Sequence, residues 1–346
     1  QFYNILDEYF EYDIDLQEEL IGLRNLVVNQ NDLIKNSKEL GNLERKITVF
    51  HAEKINRILL EYKKEIDLIG DIHGHYDELR RLLEKMCYSF QQNGLNHLEN
   101  RKIGFLGDFI NRGPYSVKVL SLVKSLCESG DAVAVLGNHE FRLIQNSVTG
   151  KKIPPELEPF LPWLRTLPLF LDFETLRMVH AAWHFSSIEL LLGKSAEEDS
   201  FIVETLDKKS PYKQAVSRIL SGIKIRIPEE LNLIDRFGIR RPKGRLKWWK
   251  DLRGKPDNEC FISPMTPEIC DRGPSDQELS ELELYPKTEK PVFIGHYCLP
   301  PHISKISGQV ICLDGCVTSD KTLWGYHYKG AQKICPSYLI EARATE

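Results

Sequence analysis

Ile66-Asp67-Leu68-Ile69-Gly70-Asp71-Ile72-His73-Gly74 sets the reading of the whole chain. A short apolar run stops at a glycine, and an aspartate and a histidine follow two positions apart. The same grammar returns in Lys102-Ile-Gly-Phe-Leu-Gly107-Asp108-Phe109-Ile110-Asn111-Arg112-Gly113 and in Ala132-Val-Ala-Val-Leu-Gly137-Asn138-His139-Glu140. Leu176-Arg-Met-Val-His180 and Pro291-Val-Phe-Ile-Gly295-His296 continue it. Val310-Ile-Cys-Leu-Asp and Leu323-Trp-Gly-Tyr-His-Tyr close the series. Such runs read as buried strands that deliver polar side chains from their carboxyl ends. Leu79–Met86 and Ser116–Cys127 read as connecting helices.

Outward from this core the texture changes. Across 14–66, Leu16, Leu20, Leu23, Leu26 or Val27, and Leu33 recur at helical spacing. Gly41-Asn42 interrupts them, and Leu43, Ile47, Phe50, Ile55, Ile58 and Leu59 form a second stripe. The pattern predicts a helical hairpin over residues 1–65, read as a cap on the core, with a partner-docking arm as the alternative. Residues 66–346 form the second domain. Within it, 186–290 is charged and proline-bearing, and reads as helices plus a long, partly irregular insertion.

The 346 residues carry 46 Lys and Arg against 50 Asp and Glu, a formal charge of −4. That balance argues against a nucleic-acid-binding face, which needs a broad basic surface. No uncharged apolar run approaches the roughly 20 residues of a membrane span. The start, Gln1–Asp15, is acidic and aromatic and is not read as a signal peptide; Gln1 in place of methionine suggests a trimmed start. The eight cysteines, Cys87, Cys127, Cys260, Cys270, Cys298, Cys312, Cys316 and Cys335, form no CxxC pair. The expectation is reduced, mostly buried thiols in a soluble protein of a reducing, cytoplasmic compartment.

The polar residues at the strand ends suit a metal centre. Asp71 and His73 can turn towards one ion, and the two oxygens of Asp108 can bridge two. Asn138 offers a neutral carbonyl oxygen, and His180 and His296 offer imidazole nitrogens. Mixed nitrogen and oxygen ligation suits manganese, iron or zinc better than calcium, with manganese the first choice. Two divalent ions sharing a water would generate hydroxide near neutral pH and clamp an in-line displacement at phosphorus.

The ordered set GD-x-HG, GD-xxx-R-G, GNHE, H and GH resembles the calcineurin-like metallophosphoesterases, and more narrowly their phosphoprotein phosphatase (PPP) branch. The resemblance covers about residues 66–340. It implies a two-layer β-sandwich flanked by helices, an α/β (or α+β) fold with a dinuclear metal site at the strand ends. It also implies that Asp71, His73 and Asp108 hold one ion and that Asp108, Asn138, His180 and His296 hold the other. His139 would be the general acid, and Arg112, with Asn138, would bind the phosphate. The implied reaction is hydrolysis of a phosphate monoester by direct attack of a metal-bridging hydroxide. Phosphoserine or phosphothreonine protein is the first substrate, with phosphotyrosine next. An added hairpin on such a core is similar, more loosely, to the Wip group of secreted bacterial effector phosphatases, which would place the protein inside a host cell.

The chain departs from the PPP pattern in three places. Asn111 stands where the pattern has an aspartate that charges the catalytic histidine, which predicts a weaker or pH-shifted general acid. Ala181-Ala182-Trp183-His184 replaces a glycine-rich turn, and Gly295-His296-Tyr297 is closer to bacterial dinucleotide hydrolases; Trp183 and Tyr297 are candidates to line the substrate groove, with core packing as the alternative. Gly244-Arg245-Leu-Lys247-Trp248-Trp249-Lys250 is the candidate source of further phosphate-binding cations, Arg245 and Lys247, with a surface strand as the alternative. Two other functions compete. One is a symmetrical dinucleoside polyphosphate hydrolase, served by Arg240-Arg241 and the Arg245–Lys250 cluster. The other is a non-catalytic binding module with a decayed site.

Overall fold

Strand β1 (Glu65–Ile69) alternates its burden across the pleat. Ile66 and Leu68 face one apolar cluster and Ile69 another, while Asp67 points away from the first. This is a computed structural model that describes residues 65–91, 94–226, 242–262, 273–280, 282–299, 302–330 and 334–344. The hairpin expected before residue 65, and with it the basis of the Wip likeness and of a docking arm, lies outside the described residues. So do Arg240-Arg241 and Cys270.

After β1 come helix α1 (Tyr76–Lys85) and the hairpin β2 (Tyr88–Gln91) and β3 (Gly94–His97). Strand β4 (Lys102–Phe105), helix α2 (Ser116–Glu128), strand β5 (Ala132–Ala134) and helix α3 (Asn138–Val148) follow. Strands β6 (Phe170–Asp172) and β7 (Arg177–Val179) precede helices α4 (Phe185–Leu191), α5 (Asp199–Glu204) and α6 (Pro211–Ser221). The chain continues through β8 (Lys224–Arg226), β9 (Lys243–Arg245), β10 (Val292–Ile294), β11 (Ile306–Ser307) and β12 (Val310–Cys312). It ends with β13 (Thr322–Lys329) and β14 (Leu339–Arg343).

Two five-stranded sheets result, in the orders β14-β13-β1-β4-β5 and β11-β12-β10-β7-β6. In the first, β1, β4 and β5 are parallel; in the second, β7, β10 and β12 are parallel, and antiparallel strands close the edges. Between the sheets lie Ile66, Leu68, Met178, Phe293, Ile311, Tyr326 and Tyr328, nearly all sealed from water. Burying each Leu or Ile side chain stabilises the sandwich by roughly 1.5–3 kcal/mol. The outer faces carry helices. In α1, Leu79, Leu82 and Leu83 make the buried stripe, Asp77 and Glu78 occupy the first turn and Lys85 the last, matching the helix dipole. In α2, Val119, Leu120, Val123 and Leu126 do the same work.

The two-layer sandwich flanked by helices is therefore as expected, and each anticipated strand-like run is a strand. Two helices fit closely, with α1 starting three residues earlier and α2 ending one later than predicted. Among the described residues of the region 186–290 are α4, α5, α6 and the pairing of β8 with β9.

Asp67 is the buried charge of this frame. Its carboxylate accepts from Arg101 Nε and Nη2 (2.8 and 2.6 Å) and from the Tyr88 hydroxyl (2.9 Å), and lies 2.8 Å from His327 Nδ1. Burial alone would raise its pKa, but hydrogen bonds from His327 and Arg101 outweigh burial and hold the carboxyl below its usual 3.8. Asp67→Asn leaves the buried Arg101 guanidinium with only the half-exposed Glu65 carboxylate, 2.8 Å from Nη1, a loss of about 2–4 kcal/mol in chemical denaturation. Because the folded pKa is depressed, this contribution is complete above pH 3.8 and fades as the pH falls through the folded value. The gap between wild type and variant should therefore narrow in acid; a gap that stays constant down to acid unfolding would contradict the assignment.

Candidate metal centre

The parallel strands β1, β4 and β5 end on one edge, as do β7 and β10, so the loops that follow all meet there. Glycines let them approach. Gly107 (φ +89°) and Gly137 lie back to back, and a Cβ on either would collide with the other loop's backbone; a Cβ on Gly295 would strike Asp71. Several residues that carry functional heads sit in the left-handed region without being glycine: His73, Asp108, Asn111, Arg112 and His296, with φ between 47° and 69°.

Asp108 is the hub. His73 Nε2 lies 3.5 Å from its Oδ2, His180 Nε2 lies 3.5 Å from its Oδ1, and His139 Nε2 lies 3.9 Å from Oδ2. Asp108 Oδ1 also accepts from the His139 backbone N–H at 3.0 Å. Asp71 lies 3.8 Å from His73 Nε2 and accepts from the His296 backbone N–H. Among the described residues, His73, Asp108 and His139 form one group that could hold a metal, and Asp108, His180 and His296 another.

The ring nitrogens test whether cations fit. His73 Nδ1 lies 3.2 Å from the Ile110 carbonyl and His180 Nδ1 lies 2.7 Å from that of Leu106. A carbonyl only accepts, so both Nδ1 atoms carry the proton and both Nε2 atoms, when neutral, present a lone pair. His180 Nε2 then faces Asn138 Oδ1 at 3.1 Å and a carboxylate, acceptor against acceptors. His296 Nε2 is buried with no hydrogen-bond partner. These atoms lack a positive charge between them, and a divalent ion on each side of Asp108 would supply it. The protons respond to the same need. Burial opposes charge on His180, yet Asp108 and Asp71 outweigh it and push the imidazole up to about 10. Burial would raise Asp108, but His180 and His73 hold it well below the usual carboxylate range. Asp71 goes the other way, raised by burial and by Asp314.

His139, at the start of α3, is kept at the rim, with its ring 4.9 Å from that of His73. Burial outweighs Asp108 and, with the cations nearby, pushes it down to about 4. Its Nδ1 lies 2.8 Å from Asn111 Nδ2. Arg112 is exposed beside them, and its charge is felt by His73 and His139. Arg245 on β9 donates to the His296 carbonyl at 3.2 Å, so it stands behind the second metal group. Lys247 feels Lys250, Cys260 and Glu259 instead. Of the two cations, it is Arg245 that the fold brings to the centre. Trp183 and Tyr297, considered for a groove lining, are core residues 2% and 0% exposed.

Two residues gained a role that the sequence had not assigned. Glu140 is fully buried and accepts from the backbone N–H groups of Asp108, Phe109, Ile110 and Gly137, tying the β4 loop to α3. A glutamate in the first turn after a glycine cap is the available signal. Asp314 accepts from the Cys298 and Cys316 backbone N–H groups. Those two cysteines are disulfide-bonded, which corrects the expectation of thiols throughout. The cause is proximity across two loops that spacing along the chain does not reveal. Cys260 and Cys312 are buried thiols, whereas Cys87 is exposed.

The family profile described as Calcineurin-like phosphoesterase matches residues 64–300. A symmetrical bis(5'-nucleosyl)-tetraphosphatase of Vibrio parahaemolyticus is 34% identical over 271 residues, 72% of this chain and 90% of that protein. An asymmetrical bis(5'-nucleosyl)-tetraphosphatase, PrpE of Halalkalibacterium halodurans, is 37% identical over 89 residues, and there the chain spans only 36% of the relative's length. Among solved structures, a protein serine/threonine phosphatase from Saccharomyces cerevisiae is 15% identical, with a TM-score of 0.43 over 86% of this chain and 89% of that one. The chain belongs to the calcineurin-like phosphoesterases.

Proposed function

We propose that this protein hydrolyses a phosphoanhydride of the symmetrical dinucleoside tetraphosphate class. The phosphoprotein reading, first in the sequence analysis, gives way to its alternative. The observation that carries this choice is the extended match: relatives covered over 90% of their length are named symmetrical bis(5'-nucleosyl)-tetraphosphatases.

Asp71, His73 and Asp108 would hold one ion, and Asp108, Asn138, His180 and His296 the other. Manganese is the first choice, with iron or zinc next. When bound, such ions lower the pKa of water and offset phosphate charge. The chain's own residues do the rest. The carbonyl hydrogen bonds of His73 and His180 fix both rings, so that each Nε2 faces inward. Arg112 would orient the reacting phosphate through paired donors, and Arg245 would add positive charge behind His296. The Asn111 amide lies 2.8 Å from His139 Nδ1 and would orient the ring; with its oxygen turned to accept from Nδ1–H, a protonated imidazole would present its Nε2 proton to the leaving oxygen and return to the neutral form.

Asn111 supports the anhydride reading physically. An amide orients the imidazole but does not stabilise imidazolium by charge. A serine alkoxide leaves poorly without a strong proton donor; a nucleoside diphosphate is a far weaker base and needs less help. Asn111→Asp should therefore raise turnover of an alkyl phosphate more than that of an anhydride. Equal changes in both would refute a link between this residue and leaving-group basicity.

The substrate itself is tested with manganese present, offering diadenosine tetraphosphate beside phosphoserine and phosphotyrosine peptides. Cleavage to ADP alone is expected. ATP plus AMP as products, or faster turnover of the peptides, would overturn the proposal. His180→Ala and His296→Ala should each lower the number of manganese ions bound per chain, read by elemental analysis. Unchanged metal content would remove these histidines from the ligand set.

A further inference from the structure

The loop that carries His296 is tied on every side. The Gly295 backbone N–H donates to His180 O, that of His296 to Asp71, that of Cys298 to Asp314 Oδ2 and that of Leu299 to Asp314 O. One tie is covalent. Cys298, two residues after His296, is bonded to Cys316, with Cα atoms 4.5 Å apart and a separation of 18 positions in sequence. The backbone here is held in an unfavourable state: His296, Cys298 and Cys316 are all left-handed, with φ of 65°, 40° and 63°. Asp314 sits between the two cysteines, accepting from both backbones, and its charge acts on Asp71. The bond therefore joins the loop of one proposed ligand to the carboxylate behind another.

We propose that Cys298 and Cys316 form a reversible dithiol–disulfide site, and that its redox state sets how tightly the His180–His296 side of the centre holds a divalent ion. The coupling to metal rests on the functional reading above; the thiol chemistry does not. The reactant class is a small dithiol or a protein dithiol. Cys298 is partly exposed and Cys316 is 1% exposed, so attack falls on Cys298 Sγ. A reductant thiolate bonds to that sulfur, the S–S bond breaks, and Cys316 leaves as a thiolate that takes up a proton. The second thiol of the reductant then displaces Cys298, which is protonated in turn. Two electrons and two protons pass to the protein, and the reductant departs as a disulfide. Without the cross-link, hydrogen bonds alone hold the left-handed turn, and the loop samples conformations in which His296 no longer faces Asp108.

The test uses the full chain, metal-free, with and without dithiothreitol. Alkylation and mass spectrometry should find Cys298 and Cys316 protected in the untreated protein, while exposed Cys87 reacts as the internal control. Reduction should expose both, and calorimetric titration should show manganese affinity lowered about fivefold or more. Cys298→Ser should show the lowered affinity in both conditions, and Cys316→Ser serves if that variant does not fold. Alkylation of both residues without reductant overturns the bond. Equal manganese affinity in the two redox states overturns the coupling. Absence of manganese binding in either state would sink the metal reading and the coupling with it, while the mass shift decides the cross-link separately.

Discussion

A single buried carboxylate, that of Asp108, faces three imidazoles from three different stretches of chain, and satisfying it dictates how the two sheets meet. His73 comes from the β1 loop, His139 from the start of α3 and His180 from the end of β7. Asp108 belongs to the β4 loop, which Glu140 grips through four backbone N–H groups. A buried anion with no compensating charge would be costly, so the sandwich is stable in this register only with cationic or proton-bearing partners around that point. The apolar layer between the sheets supplies most of the cohesion. The carboxylate supplies the requirement that strand ends from both sheets arrive at the same place.

That geometry is generic to attack at phosphorus, and specificity must come from what surrounds it. Asn111 is one such element, because it orients His139 without charging it. Arg245 is another, because it enters from the region between β7 and β10 rather than from the strand-end motifs. That region is itself bound into the fold. It pairs β8 with β9 and sends Trp248 into the core, where its indole N–H reaches the Ala181 carbonyl.

Much of the fold could be read from the sequence because parallel strands buried on both faces leave short, mostly apolar runs, and a glycine marks the exits of β1, β4, β5 and β10. The ligand types could be read for a related reason: carboxylates and imidazoles placed just after such runs have few other uses. What escaped was whatever depends on the meeting of distant loops. The link between Cys298 and Cys316 is invisible in spacing, since Cys312 is nearer to Cys298 in sequence than Cys316 is. Glu140 stood in a quoted motif without a task, because its partners are backbone atoms some thirty residues earlier. Helix α3 was hidden by the motif that opens it, where Asn138 and His139 draw attention as ligands rather than as a first helical turn. Trp183 and Tyr297 could be read as groove or as core and are core, because sequence shows aromaticity but not which way a loop turns.

The left-handed backbone at His73, Asp108, Asn111, Arg112 and His296 has a consequence for how this protein can vary. At each of these positions glycine would relieve the backbone by roughly 1–2 kcal/mol. Glycine would also remove the very head group that acts. The chain therefore retains residues that its own fold disfavours, and the cost falls on the loops rather than on the sheets. Selection for thermal robustness alone would erode these sites first, and selection for chemistry alone would preserve them while the surrounding sandwich drifted. Opposed pressures acting on the same few residues should leave the centre as the slowest-changing part of the molecule and the least stable for its size.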